Sequence, residues 1–138
     1  MQVRISQRAD LVLKLIYCIR RKDGLDRAQF QKIWREEHGA LALQLAEDMG
    51  MVRYVQSHTF EPFTAEPSFD ETRDLAQDFD GVSECWWESS DAFQAAMATP
   101  EGEAAAAAMQ ADERRFIDHD RSTMFFVEEN ELLPLATG

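Results

Sequence analysis

The feature that most restricts the fold of this chain is a strand–helix–strand pattern that occurs twice. In each copy, a run of bulky apolar residues precedes a segment with helical periodicity, and a second apolar or alternating segment follows. The six segments cover residues 11–19, 26–49, 51–60, 80–88, 89–117 and 121–129. Two such units predict an α+β fold, a ferredoxin-like βαββαβ sandwich with both helices on one face of the sheet and strands one and three side by side.

Short polar signals mark the ends of the predicted helices. Asp26 and Gln29 have the spacing of a capping box, and Gly50 is typical of the residue that follows a helix C-terminus. Asp91 has the same spacing to a glutamine, which predicts that it opens the second helix in the same way. Gly39 interrupts the first helix, and we expect a bend there.

Length, composition and charge narrow the class of protein. The chain has 138 residues, 45% of them hydrophobic and 29% charged, so we expect a single globular domain over residues 1–138 with its core at about 11–130. The net charge of −12 would repel phosphate backbones and anionic headgroups, so nucleic acid is not an expected partner. No run approaches the roughly 20 apolar residues of a membrane span. Two cysteines are too few for a disulfide framework, so we expect a cytoplasmic protein.

Two adjacent tryptophans on the third predicted strand bear on assembly. Trp86 and Trp87 must point to opposite faces of the sheet, so helices on one face alone would leave one of them in water. Packing the open face against a second copy of the chain removes that exposure. We therefore expect a homodimer that forms through the sheet face.

Histidine and tyrosine side chains are the first candidates for chemistry. His38 lies beside Trp34 at the edge of the apolar stripe of the first helix, while Tyr54, Gln56 and His58 share one face of the second strand. On spacing alone, these residues are either structural or part of a site. Tyr54 and His58 are about 13 Å apart along the strand, so only one of them can lie at the centre of a small site. A helix packed on the sheet would bring His38 toward this strand.

Two acidic residues of the second half are further candidates. Asp112 is in line with Phe116 on the second helix, where its carboxylate either orients His38 or pairs with a nearby arginine. Asp118 lies just before the last strand, where an acid is either a cap or a site residue.

The connection between the second and third strands, residues 61–80, is long and acidic. It carries seven acidic residues and one basic residue, Arg73, for a net charge of −6. A connection of this length is uncommon between paired strands. It is either a lid over the site or a solvated surface loop.

Several common site motifs do not occur in the sequence. There is no glycine-rich phosphate loop, no GxSxG nucleophile elbow and no HExxH metal motif. The groups available are imidazole, phenol and carboxylate beside aromatic side chains. These side chains can transfer protons without a bound cofactor or metal ion, so we expect neither.

Four blocks of the sequence resemble the EthD domain family. They are "LIYCIRRKDGLDRAQFQKIWREEHGAL", "GMVRYVQSHTF", "FDGVSECWWESSDAFQAAMATPEG" and "ADERRFIDHDRSTMFFVEE", and they span about residues 12–130 in the order of the family. The resemblance implies a dimeric α+β barrel, in which the sheets of two ferredoxin-like subunits close together. It also implies a ligand cleft between helices and sheet within each subunit.

Individual motifs of the family match positions of this chain. The family's W-x-x-x-H on the first helix matches Trp34 and His38, and its R-Y-x-x-x-H on the second strand matches Tyr54 and His58. Its D-G-x-x-E on the third strand ends at Glu84.

The resemblance also implies roles for these residues. His38 would be the general base or acid, Tyr54 would donate a hydrogen bond to a carbonyl or enolate oxygen, and His58 would be a second proton carrier. The residues expected to contact the substrate are Trp34, Glu84, Trp86, Asp112, Phe116 and Asp118.

Three classes of function fit these expectations. The leading hypothesis is a cofactor-independent lyase, dehydratase, cyclase or isomerase that acts on a small aromatic, polyketide-like or lactone substrate. The first alternative is a non-catalytic accessory protein that binds a small hydrophobic molecule. The second alternative is a cofactor-free monooxygenase or a haem-binding α+β barrel. A shared fold does not decide among the three.

Overall fold

The computed structural model describes residues 12–60 and 79–136, and in these ranges the predicted order of strands and helices is confirmed. The strands are β1 Leu13–Ile19, β2 Arg53–His58, β3 Gly81–Trp87 and β4 Thr123–Val127. They form one sheet in the order β2-β3-β1-β4, and all paired neighbours are antiparallel. The central strands are therefore β1 and β3, as predicted for a ferredoxin-like α+β fold.

The helical layer consists of two units. The first runs through α1 (Arg27–Lys32), a π-helical segment (Ile33–His38) and α2 (Gly39–Met49). The second consists of α3 (Ser90–Met97) and α4 (Pro100–Glu113), and a 3₁₀ turn (His119–Arg121) precedes β4. None of the helices in the described ranges has the length and the apolar character that a membrane span requires.

Both helical units cover the same face of the sheet. Trp34 of the first unit packs over Gly81, and Phe93 of the second unit packs against Trp87 with ring centroids 4.9 Å apart. Gly81 and Trp87 lie on the same side of β3 because they are six positions apart, and positions an even number of steps apart share a face. The space between this face and the helices is where a ligand can be enclosed.

The ends of the first helical unit follow the local sequence. Asp26 Oδ1 accepts a hydrogen bond from the Gln29 backbone N–H at 2.7 Å, and Gln29 Oε1 accepts one from the Asp26 N–H at 2.9 Å. The predicted capping box is thereby confirmed. Gly50 ends α2 with a φ of 71°, a left-handed conformation that glycine adopts without strain.

The start of the second unit differs from the prediction. Ser89 is the N-cap of α3, and its hydroxyl accepts a hydrogen bond from the Ala92 N–H at 3.0 Å. Its extended backbone is the conformation that a capping residue needs. The prediction that Asp91 opens this helix as Asp26 opens the first is therefore wrong, because Asp91 already lies in the first helical turn.

The surroundings of the two adjacent tryptophans differ from the expectation that one of them is exposed in a single subunit. Trp87 faces the helices, and its Nε1 donates to a backbone carbonyl at the end of α2 at 2.8 Å. Trp86 faces the open side of the sheet, yet it is only 8% exposed. Lys14 and Arg53 lie over its ring, and its indole N–H donates to Glu129. The prediction that one subunit alone would leave a tryptophan in water is therefore wrong.

The predicted acidic connection lies outside the described residues except at its end. Its last residue, Asp80, is buried, and its carboxylate accepts hydrogen bonds from the Arg21 backbone N–H at 2.7 Å and from Arg27 Nε at 3.0 Å. Burial alone would raise the pKa of Asp80, but these hydrogen bonds hold it below its usual value of 3.8. The carboxylate thereby joins the start of β3 to the start of α1.

Candidate active site

A cavity of about 760 Å³ lies between the sheet and the helical layer. Its walls are mainly apolar, and Trp34, Trp87 and Phe93 are among the aromatic side chains that line it. The polar residues that line it include Tyr17, His38, Tyr54, Ser83, Glu113 and His119. This volume and this mixture of side chains are typical of a site for a small organic molecule.

His38 and Asp112 form a hydrogen-bonded pair at the cavity wall. His38 Nδ1 lies 2.7 Å from Asp112 Oδ2. Because a carboxylate accepts hydrogen bonds, Nδ1 carries the hydrogen and Nε2 is left as the basic nitrogen. The ring of Phe116 packs edge-on against the imidazole with a centroid distance of 5.1 Å. An imidazole oriented in this way is the arrangement that general acid–base catalysis uses.

The surroundings of Asp112 keep it ionised. Its Oδ1 accepts a hydrogen bond from Arg115 Nε at 2.7 Å, and Arg115 Nη1 also donates to Glu37 Oε1 at 3.1 Å. Burial alone would raise the pKa of Asp112, but the hydrogen bonds from Arg115 and His38 hold it below its usual value of 3.8. The two sequence-based alternatives, an arginine partner or a histidine partner, are therefore both realised.

A widened turn in the first helical unit brings Trp34 and His38 to the cavity. In the π-helical segment the Gly39 N–H donates to the carbonyl of Trp34, five residues earlier. The buried residues Phe30, Trp34, His38 and Ala42 recur at four-residue intervals, and such a row drifts by about 120° around a regular α-helix. The wider turn offsets this drift, so the row faces the sheet along its whole length.

Gln56 connects the first helical unit to Tyr54. Its Nε2 donates to the Trp34 carbonyl at 2.8 Å and to the Tyr54 hydroxyl oxygen at 3.0 Å. Burial raises the pKa of Tyr54, although the hydrogen bond from Gln56 acts in the opposite direction. The phenol therefore keeps its proton. Because its oxygen already accepts a hydrogen bond, its O–H is available to donate to a ligand in the cavity.

His58 lies next to Gln56 and is not among the residues that line the cavity. Its Nε2 is 3.0 Å from Gln56 Oε1, which can only accept, so Nε2 carries the hydrogen. The Trp34 ring packs against the imidazole at a tilt of 37°, with ring centroids 4.4 Å apart. Burial and, to a smaller extent, the charge of Arg35 lower the pKa of His58. The structure thus holds His58 as a neutral donor that orients Gln56.

Two predicted substrate contacts lie on the other side of the sheet. Glu84 and Trp86 alternate along β3 with Ser83, Cys85 and Trp87, which face the helices. The carboxylate of Glu84 pairs with an amino group of β1 on the open face. Neither Glu84 nor Trp86 lines the cavity.

The other predicted contacts differ in how near they come to the cavity. Trp34 lines it directly, and Asp112 reaches it through the imidazole that it orients. Phe116 is fully buried in the core behind that imidazole. Asp118 lies 4.0 Å from Arg121 beside the 3₁₀ turn and does not line the cavity.

Glu113 is a cavity residue that the sequence reasoning missed. Its carboxyl group acts on the Tyr17 phenol, whose pKa it raises in addition to burial, and its Oε1 lies 3.5 Å from His119 Nε2. Burial raises the pKa of Glu113 above its usual value of 4.5, although the neighbouring imidazoles act in the opposite direction. A signal was present in the sequence, because Glu113 is four residues after the apolar Met109 and therefore shares a helical face with it.

The titratable groups that face the cavity are suited to exchanging protons. Cys85 also lines the cavity, and burial raises the pKa of its thiol to about 11, so it is a neutral thiol near pH 7. Among residues 12–60 and 79–136, no three His, Cys, Asp or Glu side chains come together as a metal site would require. The groups at the wall include the oriented imidazole of His38, the phenols of Tyr17 and Tyr54, and the half-buried carboxyl group of Glu113.

The fold and the cavity together define a small α+β protein with a ferredoxin-like sheet and an internal site that carries a histidine–aspartate pair. The chain belongs to the EthD domain family, whose family model matches residues 22–120. The matched range contains His38, Tyr54 and Asp112. Comparison with curated proteins gives no match.

Several solved structures share this fold at low sequence identity. An EthD family protein from Bacillus halodurans is 19% identical with a TM-score of 0.58, and the match covers 87% of this chain and 100% of that one. SnoaB, a cofactor-independent oxygenase from Streptomyces nogalater, is 19% identical with a TM-score of 0.51 and coverages of 91% and 99%. A dimeric ferredoxin-like protein of unknown function from Thermobifida fusca is 12% identical with a TM-score of 0.53 and coverages of 93% and 100%.

Proposed function

We propose that this protein is a cofactor-independent acid–base enzyme, of the lyase, cyclase or isomerase type, that acts on a small aromatic, polyketide-like or lactone substrate. The observation that carries the proposal is the 2.7 Å hydrogen bond between His38 and Asp112 at the wall of a largely apolar cavity. Apolar walls favour a hydrophobic substrate, and a few polar groups orient it.

In this proposal His38 removes a proton from a carbon atom next to a carbonyl group. Asp112 is a positioning residue that keeps Nδ1 protonated, so that Nε2 is the base, and its charge stabilises the imidazolium that forms. Tyr54 donates its O–H to the enolate oxygen that develops. Trp34 packs against the substrate ring. His58 acts indirectly, because it orients the amide that donates to Tyr54.

A second candidate is oxygenation of the same class of substrate without a cofactor. The likeness in fold to the Streptomyces nogalater protein, a cofactor-independent oxygenase, favours it. The anion that forms when His38 removes a proton is electron-rich and can pass electrons to O₂. The two candidates therefore share their first step and differ in what the anion does next.

Assembly and location are also part of the proposal. We propose that two copies pack together through the open faces of their sheets, as a homodimer. Phe125 of β4 is 44% exposed on that face, opposite Ile16 of β1, and the Thermobifida fusca protein of the same fold is dimeric. Both cysteines are free, which is compatible with a reducing cytoplasm.

The test of the function measures product mass on a panel of hydroxyaromatic, polyketide-like and lactone substrates, in air and under argon. We expect loss of water or an isomer, independent of oxygen. His38→Ala should lower turnover by about 100- to 10,000-fold, the usual contribution of a positioned base. Tyr54→Phe should lower it by about 100-fold or more. The matched control is Glu47→Gln, which alters an exposed carboxylate of α2 that does not line the cavity.

Each result separates the candidates. Full turnover by a folded His38→Ala protein would refute the proposed mechanism. Oxygen in the product, only in air, would favour the oxygenase candidate. Binding of panel compounds without any product would favour a non-catalytic binding protein.

A further inference from the structure

The cavity holds a second set of titratable groups, one residue beyond Asp112. Glu113 is the last residue of α4, lines the cavity and has a side chain that is 13% exposed. His119 Nε2 lies 3.5 Å from its Oε1, and Tyr17 of β1 lines the same cavity. The mechanism proposed above uses neither Glu113 nor His119.

Two adjacent carboxyl groups of α4 lie in opposite environments. Asp112 is held ionised by Arg115 and His38, whereas burial raises the pKa of Glu113. The titratable groups that face Glu113 are Tyr17 of β1, Cys85 of β3, His38 of the π-helical segment, Asp112 of α4 and His119 of the 3₁₀ turn. When the surroundings of two carboxyl groups separate their pKa values in this way, the group with the higher pKa can act as an acid. The group with the lower pKa stays ionised.

His119 gives Glu113 a route to solvent. Its side chain is 37% exposed, and it also lines the cavity. An imidazole can take up a proton on one ring nitrogen and release one from the other, so an imidazole that also contacts solvent can relay protons. Its Nε2 lies within ion-pair distance of the buried carboxyl group, so the two side chains form a continuous path from solvent to the cavity.

We propose that Glu113 and His119 deliver protons to the ligand, and that the substrate is a β-hydroxy carbonyl compound that loses water. The inference rests on the proposed function, because it needs His38 as the base. His38 takes the proton of the carbon next to the carbonyl, the electron pair forms the C=C bond, and the C–O bond breaks. The Glu113 proton goes to the departing hydroxyl, which leaves as water. His119 returns a proton from solvent to Glu113, and His38 releases its proton to solvent.

The test uses the aldol adduct of benzaldehyde and acetone as the β-hydroxy ketone, in D₂O. Deuterium entry next to the carbonyl reports the His38 step, and enone absorbance reports loss of water. The Glu113→Gln variant should still catalyse deuterium entry into the substrate. It should catalyse loss of water from the substrate about 100-fold more slowly than the wild type. The His119→Gln variant should catalyse loss of water from the substrate about tenfold more slowly in dilute buffer, and added imidazole should restore the rate. Glu101→Gln, at an exposed position on the same helix, should match the wild type.

The outcomes separate this inference from the proposed function. Deuterium entry with an unchanged rate of water loss in Glu113→Gln would overturn the inference alone. Wild-type protein that shows neither signal would refute both. If Glu113→Gln does not fold, Glu113→Asp, which withdraws the carboxyl group by one methylene, should also slow water loss.

A titration adds a readout that does not depend on turnover. In protein labelled with carbon-13 at glutamate carboxyl groups, the resonance that Glu113→Gln lacks should titrate above pH 4.5. The pH midpoint of this titration should be higher in His119→Gln, because the imidazole that favours the ionised carboxylate is lost. A midpoint at or below 4.5 would overturn the inference.

Discussion

One added methyl group at Gly81, the first residue of β3, should disturb the cavity wall severely. A Cβ there would lie 2.3 Å from Cζ3 and 2.6 Å from Cη2 of Trp34, and 2.9 Å from the Ser57 carbonyl oxygen. Carbon atoms in contact are normally about 3.5–4.0 Å apart, so the indole would have to retreat by more than about 1 Å. The indole is fully buried and packs against Phe30 and His58, so a shift of this size would disrupt these contacts and push the ring into the cavity.

The size of the effect of Gly81→Ala follows from two opposing contributions. Overpacking of a buried side chain costs about 1–3 kcal/mol, and contacts this short belong in the upper part of that range. Alanine also restricts the unfolded chain, which offsets about 0.5–1 kcal/mol. The free energy of unfolding should therefore fall by about 2 kcal/mol, and the Tm by about 7 °C for a domain of this size.

The assay is a urea titration followed by tryptophan fluorescence, with a thermal melt beside it. The matched control is Gly39→Ala, whose Cβ would meet Gln56 Nε2 at 3.4 Å and the Trp34 carbonyl at 3.5 Å, both ordinary contacts. Alanine is more favourable than glycine in a helix by up to about 1 kcal/mol. The control should therefore unfold at the same urea concentration as the wild type or at a higher one.

A double-mutant cycle identifies the contact responsible. Trp34→Phe removes the outer ring atoms that the new methyl group would strike. Gly81→Ala should then be less harmful in the Trp34→Phe background by about 1 kcal/mol, with part of the penalty left because the Ser57 contact persists. An unchanged penalty in that background, or a Gly81→Ala protein as stable as the wild type, would refute the reasoning.

Two further predictions concern acid stability and assembly. The lowered pKa of Asp80 means that its stabilising contribution is complete above pH 3.8 and is lost as the pH falls through the folded-state value. The wild type should therefore exceed Asp80→Asn in free energy of unfolding by about 3 kcal/mol near neutral pH. Urea titrations at decreasing pH should show that this difference shrinks, and a pH-independent difference would contradict the argument. Phe125→Glu should convert the proposed dimer to a monomer, as measured by sedimentation velocity. Leu43→Glu, at a 74% exposed site on α2, should leave the dimer intact. Identical behaviour of the two variants would count against the sheet-face interface.

The parts of the structure that were predicted correctly depend on short-range chemistry. Asp26 and Gln29 can cap a helix wherever the chain places them, and Gly50 can turn left-handed in any context. The strand order followed from counting two βαβ units, because few topologies accommodate that number. Asp91 shows the limit of such reasoning, since Ser89, two residues earlier, offered a competing hydroxyl cap.

The assignment of residues to faces of the sheet depended on information that no short segment contains. Alternation predicts that Trp86 and Trp87 point apart, but it does not tell which one the helices cover. That choice is set by register across strands: Tyr54 is paired with Cys85, so the face of Tyr54 also carries Trp87. Trp86, which was expected to contact the substrate, therefore lies on the face away from the cavity.

The acid of the cavity wall was missed for a related reason. Asp112 and Glu113 are adjacent on α4, and both neighbour apolar residues at helical spacing. Arg115 is only three residues from Asp112, but the tertiary structure is needed to show that His38 also reaches Asp112 and that Glu113 is enclosed beside Tyr17. The difference between an ionised and a neutral carboxyl group is thus a property of packing and not of the local sequence.

The widened turn before Gly39 makes the length of this helix a determinant of the site, independently of which residues it contains. In a regular α-helix each residue advances by about 100° around the axis. If one residue were lost between Ile33 and His38, the two halves of the helix would be joined without the wide turn, and either His38 or Phe30 would rotate away from the sheet. A relative that lacks this residue would need its imidazole at a different position along the helix. An insertion or deletion in this segment would therefore change which side chains face the cavity, even if every residue that lines it were retained.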